Sequence, residues 1–357
     1  MRPVSNEGDP CYTKAMRTPY RTLLFSASFF IFTGCLQKTK GGGDANTLVV
    51  ASPHPLVLIV PVIENFENET GIAVELVQGG TKEILKTLQM HPDASPYDVL
   101  WGGSYASVLP ASSLFDSYTS ANEAYIRDEY KNVEGMLNRF SDVPSVLMIN
   151  KKRLGDIALS GYGDLLNPKL KGAIAFGNPE TSSSAWEHLI NILYAEGKGN
   201  PDDGWDYVKR LCGNLDGILL NSSSAVYNGV ADGRFAVGLT FEEGGANFAE
   251  KDDNIALVYM NEGVVFTPDG VYMPKKIRHK DNAVRFIDYV TGKNVQSYIA
   301  KRMNRRSVRN DVETKSLLPA KSAINCIPVD YAYTTSHQSE WVERFLDIFE
   351  SVRQSDE

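Results

Sequence analysis

Cysteine is scarce here: four residues in a chain of 357, too few and too scattered for a disulfide framework. Histidine is also scarce, five residues widely spread. Neither an H-E-x-x-H helix nor a G-x-S-x-G elbow is present, so two common hydrolase signatures are missing. Positive charge is also short: 36 Lys and Arg stand against 44 Asp and Glu, a net charge of −8. A nucleic-acid binder needs a concentrated basic face, and the one short basic run, Lys301 to Arg309, does not supply it. No apolar run reaches the ~18 residues of a membrane-spanning helix. What remains is ordinary globular composition, 43% hydrophobic and 22% charged, in a chain long enough for two domains of usual size. A monomer with a small-molecule partner and no nucleic acid is the expectation.

The N-terminus is specific. Arg17 and Arg21 precede the apolar stretch Leu23 to Phe32, and Thr33-Gly34-Cys35 follow. A basic segment, a short apolar core and small residues at a cut site predict a secretory signal peptide over residues 1–35. Cysteine directly after a small residue resembles the bacterial lipobox, with Phe32 where Leu is usual, and makes Cys35 the expected lipid attachment point. Met16, just before Arg17, is the expected true start. Residues 36–45 (LQKTKGGGDA) read as a flexible tether. Cys212 and Cys326 then remain, and sequence leaves open whether they pair.

From residue 46 strands and helices alternate. Thr47–Ala51, Ile72–Val77 and Tyr97–Trp101 predict strands, and Leu56–Thr70 and Lys82–Met90 predict helices, the first despite Pro61 and ending at Gly71. The cycle restarts with strands at Ser145–Ile149, Lys171–Phe176, Gly217–Leu220 and Phe235–Thr240 around helices at Ala185–Glu196 and Ala225–Asp232. Ile255–Tyr259 and Gly270–Met273 read as strands returning to the first unit. Residues from Asp281 to Ile299 and from Gln338 to Val352 read as helical. This order predicts an α/β protein of two lobes, each a mostly parallel sheet flanked by helices, joined by a hinge of two crossing segments. Lobe one is expected at 46–145 plus 262–300, lobe two at 146–261, and C-terminal helices at 301–357.

In such sheets ligands bind beyond the carboxyl ends of strands. That places Ser52 and His54, Gly79-Gly80-Thr81, and Trp101-Gly102 at one side of an expected cleft. Ser182-Ser183-Ser184, then Ser222-Ser223-Ser224 with Tyr227, and then Glu242-Glu243 stand at the other. Ser and Thr at helix starts offer hydroxyls and backbone N–H groups at the positive end of the helix, which suits phosphate or carboxylate. The ordinary reading of each is an N-cap. His54, stiffened by Pro53 and Pro55, offers a donor to a ligand oxygen or a metal ligand. Trp101 offers a stacking wall or a core side chain. Glu242 and Glu243 offer acceptors for sugar hydroxyls or ligands for a hard cation. Arg305, Arg306 and Arg309 suit either a bidentate phosphate grip or ion pairs at the hinge.

Several phrases, taken in order, resemble the extracellular solute-binding proteins of ABC importers grouped with the ferric-iron binders, the type II periplasmic binding fold. They are Ser52-Pro53-His54-Pro55, Phe66 to Gly71 (FENETG), Asp98 to Gly103 (DVLWGG), Asp164 to Pro168 (DLLNP) before Lys171-Gly172, Val237 to Glu243 (VGLTFEE) and Asp269 to Tyr272 (DGVY). The resemblance spans roughly residues 46–350. It implies capture of a small solute and its delivery to a permease; with the N-terminal pattern and the missing catalytic signatures, the expectation is a lipid-anchored, extracytoplasmic binding protein that is not an enzyme and needs no cofactor. Its partner would be a permease in the inner membrane. Ferric binders hold the metal with adjacent tyrosines in the second lobe, but this chain has no Tyr-Tyr pair and carries Phe241-Glu242-Glu243 there. A sugar phosphate or other organophosphate is therefore the expected solute. The alternative is Fe(III) held by His54, Glu242 and Glu243.

Overall fold

The computed structural model describes residues 46–356, apart from Glu134 and Ser316. The signal segment, Cys35 and the tether lie outside them. β1 (Thr47–Ser52), α1 (Leu56–Thr70), β2 (Ala73–Gln78), α2 (Thr81–Met90) and β3 (Val99–Ser104) follow one another as the apolar pattern predicts. α1 runs through Pro61, whose ring removes a donor to the carbonyl four residues back. Tyr298 Oη donates to that carbonyl, Val57 O, at 3.4 Å. Gly71 then ends the helix in the left-handed conformation, at φ 70°. After α3 (Tyr105–Val108) and β4 (Phe115–Asp116) come β5 (Asn138–Asn150), α4 (Lys151–Leu154), β6 (Ile174–Ala175), α5 (Ser183–Glu196), α6 (Trp205–Leu215) and α7 (Ser223–Ala231). β7 (Val237–Phe241), α8 (Glu242–Ala249), β8 (Ile255–Val258), β9 (Phe266–Pro274), α9 (Lys280–Thr291), α10 (Lys293–Arg302), β10 (Arg306–Ser307), α11 (Tyr331–Ser336) and α12 (Gln338–Asp356) complete the order.

β5 organises the sheet. Up to Pro144 it pairs antiparallel with β9, and from Ser145 it pairs antiparallel with β7 and β8. The strand order β2-β1-β3-β9-β5-β7-β6 thus passes through one 13-residue strand that serves two strand groups. Parallel pairing holds for β1 with β2 and β3 and for β6 with β7. The long linking strands depart from the expected parallel pattern because they cross between groups in opposite directions. Ile255–Tyr259 was expected to return to the first group; β8 instead pairs with the second half of β5, and β9 alone makes the return. Gly217–Leu220 forms only a single bridge, Leu220 to Gly177, and Lys171–Phe176 shortens to β6. The expected helix at 281–299 is broken by Gly292, which is extended and caps α10.

Alternation along β1 explains why helices cover both faces. Leu48 and Val50 face a core with Leu58, Phe66, Trp101 and Phe286, while Ala51 faces another with Ile84, Leu88 and Tyr272. In the second group Leu147, Ile174 and Leu239 face Trp186, Leu189 and Leu211. Met148 and Ala175 face Val226 and Val230. Residues 301–357 are not wholly helical: β10 joins β5, and α12 lays Trp341, Phe345 and Phe349 into the second core beside α6. Cys212 is buried, Cys326 is exposed, and both are free thiols.

Candidate functional site

A cavity of about 160 Å³ lies where the carboxyl ends of β1, β3 and β7 meet the starts of α2, α5 and α7. From the first group it is lined by Pro53, His54, Pro55, Thr81, Gly103 and Ser104; from the second by Ser183, Ser184, Glu187, Ser223 and Phe241. Val143, Ser145, Thr267, Asp269 and Arg305, on or beside the linking strands, complete it.

The serine triplets divide by position. Ser182 Oγ accepts from Ala185 N at 3.4 Å and caps α5, and Ser222 Oγ accepts from Ala225 N at 3.2 Å and caps α7. Ser183, Ser184 and Ser223, just inside the helices, line the cavity. Ser224 bonds Ser222 at 3.0 Å instead. Thr81 plays the lining part for α2, whereas Gly79 and Gly80 lie outside the lining and leave α2 without a side-chain cap. Tyr227 packs edge-on to Phe241 behind the cavity wall.

Ser52 positions rather than lines. Its hydroxyl donates to Trp101 O at 2.5 Å and accepts from His54 N at 3.2 Å, while Gln78 Nε2 donates to His54 O at 3.0 Å. His54 is thereby fixed, 5% exposed, and its Nε2 has no hydrogen-bond partner. That nitrogen sits 3.4 Å from Asp269 Oδ2. Burial, aided by the positive Arg305, holds the imidazole well below its ordinary pKa, so it is neutral. Trp101 is fully buried behind His54, with ring centroids 5.6 Å apart, and belongs to the core. Gly102, at φ 112°, lies outside the lining but makes room: a Cβ there would stand 2.8 Å from His54 Nε2.

Glu242 and Glu243 do not face the cavity, because arginines take them. Arg306 donates to Glu242 through Nε at 2.8 Å and Nη2 at 2.7 Å, and Tyr259 Oη adds a third bond. Arg305 donates to Glu243 through Nε and, at 2.6 Å, to Asp269 through Nη1. Of the three arginines, Arg305 lines the cavity. Arg309 pairs with Asp311 at 2.8 Å, away from it. The set His54, Glu242 and Glu243 is therefore not assembled for a cation, and among the described residues no group of three His, Cys, Asp or Glu side chains is placed to hold a metal ion.

Sequence reading missed Glu187. It lies on α5 one turn beyond Ser183 and is 8% exposed. Ser104 Oγ donates to its Oε1, and Thr267 Oγ1 donates to its Oε2 at 2.8 Å. Burial pushes its pKa up to about 7, against the two hydroxyl bonds. Asp269, also missed, is pushed up to about 6 by burial, while Arg305 pulls the other way. The available signal was the helical spacing of Glu187 from Ser183, which puts both on one face.

Helix starts from two strand groups meeting at one cavity between long crossover strands define a two-lobed ligand-binding protein of the type II periplasmic kind. The chain belongs to the bacterial extracellular solute-binding protein family, whose model matches residues 62–325. It is similar to a probable ABC transporter periplasmic-binding protein, y4fP, of Sinorhizobium fredii, 22% identical over 84% of this chain and 86% of that one. It is also similar to an Fe(3+)-binding periplasmic protein of Serratia marcescens, 27% identical over 68% of this chain and 72% of that one. The solved periplasmic binding protein AfuA of Actinobacillus pleuropneumoniae, with fructose-6-phosphate bound, shares the fold at TM-score 0.77 and 21% identity, over 85% of this chain and 98% of that one. The chain is thus a solute-binding component of an ABC importer, working outside the cytoplasm with a small solute and a membrane permease as partners. Among the described residues no helix is long and apolar enough to cross a membrane.

Proposed function

We propose that this protein captures a small anionic solute, an organophosphate such as a sugar phosphate, in the cavity between its two strand groups and delivers it to a permease. The observation that carries this reading is the meeting of three helix starts, at Thr81, Ser183-Ser184 and Ser223, in one cavity. The first backbone N–H groups of a helix lack partners within the helix and sit at its positive end, so an anion stabilises them and they stabilise it. Beside them His54 Nε2 makes no hydrogen bond but stands 3.4 Å from Asp269 Oδ2. The cavity resembles in size an apolar one of about 150 Å³ that admits benzene, which leaves room for a phosphoryl head and a few more atoms. A hexose phosphate enters if the two groups part about β5 and β9. The AfuA likeness agrees with this solute class.

The runner-up solute is Fe(III), as the Serratia relative's name suggests. It lacks a ligand set here, since Glu242 and Glu243 are held by Arg306 and Arg305. Calorimetry on metal-stripped protein separates the two. Heat from glucose 6-phosphate, weakened in Ser183→Ala and Ser223→Ala, supports the organophosphate. Tight Fe(III) binding with no heat from any phosphate ester overturns it. No catalytic residue is assigned, and no turnover of the ester is expected.

The N-terminal pattern supports export with lipid attachment at Cys35. Cys35→Ala should move the protein from the membrane fraction to the soluble one. Retention of that variant in the membrane, with the first 34 residues still present in the unmutated protein by intact mass, would remove this part of the reading.

A further inference from the structure

The cavity carries more acid than its proposed solute allows. Arg305 is its one lining cation among the described residues, and Glu243 and Asp269 already hold it. Glu187 is a further buried carboxylate with no cation beside it, held only by the hydroxyls of Ser104 and Thr267. His54 is neutral and cannot compensate. The charge of Glu187 reaches Tyr331 of α11 and Tyr272 of β9, both kept neutral chiefly by burial. A dianion entering this space meets two lining carboxylates, with Glu243 behind them, against one guanidinium. Repulsion between charges this buried is large.

One of these acids can be neutralised without breaking an ion pair. Asp269 and Glu243 must stay charged to hold the buried Arg305. Glu187 need not, because a protonated carboxyl group still accepts from both hydroxyls while its own O–H is free to donate elsewhere. We propose that Glu187 is a solute-contacting residue that meets the anion as a neutral carboxylic acid, donating a hydrogen bond to it, so that capture brings one proton into the cavity. The proton comes from solvent and leaves again on release; no covalent bond changes. The near-neutral titration of Glu187 before binding fits this role. The inference rests on the organophosphate reading and adds to it the protonation state of the site.

Linkage makes it measurable. If the anion favours protonated Glu187, protonation favours the anion equally. Above pH ~7 an alkyl phosphate is already a dianion, since its second ionisation lies near 6. Any fall in affinity between pH ~7 and pH ~9 then belongs to the protein, with up to about tenfold lost per pH unit. Calorimetry of the full chain with glucose 6-phosphate, in two buffers of different protonation heat, should show about one proton taken up per solute at pH ~8. Glu187→Gln should bind with a nearly flat pH profile and no proton uptake; Glu187→Asp should restore the slope. The native-protein buffer comparison stands even if the variants fold poorly. Ester binding without proton uptake, or a slope unchanged in Glu187→Gln, overturns this inference and leaves the solute class standing. Preference for phosphoethanolamine over glucose 6-phosphate, lost in Glu187→Gln, also overturns it, because Glu187 would then serve as a carboxylate. No heat from any phosphate ester at any pH removes both.

Discussion

Arg305 and Arg306 are neighbours in sequence, and so are Glu243 and Glu242, yet the two ion pairs they form have different surroundings. Arg305 and Asp269 line the cavity, with Glu243 and Ser141 behind them, so Arg305 has two carboxylates and a hydroxyl. Arg306 and Glu242 lie behind it in a two-pronged pair closed by Tyr259 and Pro319 O. Consecutive side chains at the entry to a strand point to opposite sides, which sends the arginines apart. The first pair sets the charge of the site. The second ties β10 to the start of α8, across the linking strands. Proximity of a charge in sequence to a site motif says little about which of these tasks it performs.

Glu242 carries the largest expected effect. Glu242→Ala leaves a buried guanidinium without the one carboxylate that pairs with it among the described residues and should cost about 3–5 kcal/mol in urea unfolding. Glu243→Ala should cost clearly less, because Arg305 keeps Asp269. Equal losses would erase the distinction. Replacing Glu242 and Arg306 together by apolar residues of similar volume should recover most of the stability.

A second test concerns solute rather than stability. Ser183→Ala and Ser223→Ala should each weaken ester binding by about 1–3 kcal/mol, if each loses a bond to a charged oxygen, with unfolding midpoints little changed. The capping serines should show the reverse pattern: Ser182→Ala and Ser222→Ala should each lower stability by about 0.5–2 kcal/mol, with smaller effects on binding. If the cap variants lose more affinity than the lining ones, the division within each triplet is wrong.

The buried acid gives a pH test without solute. Folding raises Glu187 from its ordinary 4.5 to about 7, so the native state holds a proton that the unfolded chain has released between those values. Its contribution to stability is therefore lost as pH rises from about 4.5 to about 7 and is level above that. The stability of Glu187→Gln relative to the native protein should rise over that window. A difference that does not change with pH would show that Glu187 is not strained by burial. His54 acts in the opposite sense: its lowered pKa costs stability as pH falls below 6.5, which partly masks the Glu187 slope in the native protein.

Much of the local structure was readable because it follows from local rules. The apolar spacing of Leu58, Ile59, Val62, Ile63 and Phe66 fixes α1, and the freedom of Gly71 to adopt φ 70° ends it. Ser before a helix is a cap, and Ser one residue later is free to do something else; the triplets at 182–184 and 222–224 announced helix starts, and the strand order implied that they face a cleft. β5 was half hidden. Its first part, Asn138 to Pro144, mixes Asn, Arg, Asp and Ser with apolar residues, and its pairing with β9 reaches across more than a hundred residues of chain.

The sequence by itself determined most of the elements around the cavity, their alternation and the hydroxyl-bearing helix starts, because propensity, capping and periodicity act over a few residues. Only the tertiary structure decided which charges reach the cavity. Glu242 and Glu243 looked available, but arginines more than sixty residues later hold them. Glu187 looked like one more helix residue until Ser104 and Thr267 closed over it. Whether a carboxylate is spent in an ion pair or left without a cation in a buried site depends on long-range packing, and that packing sets both its charge and its use.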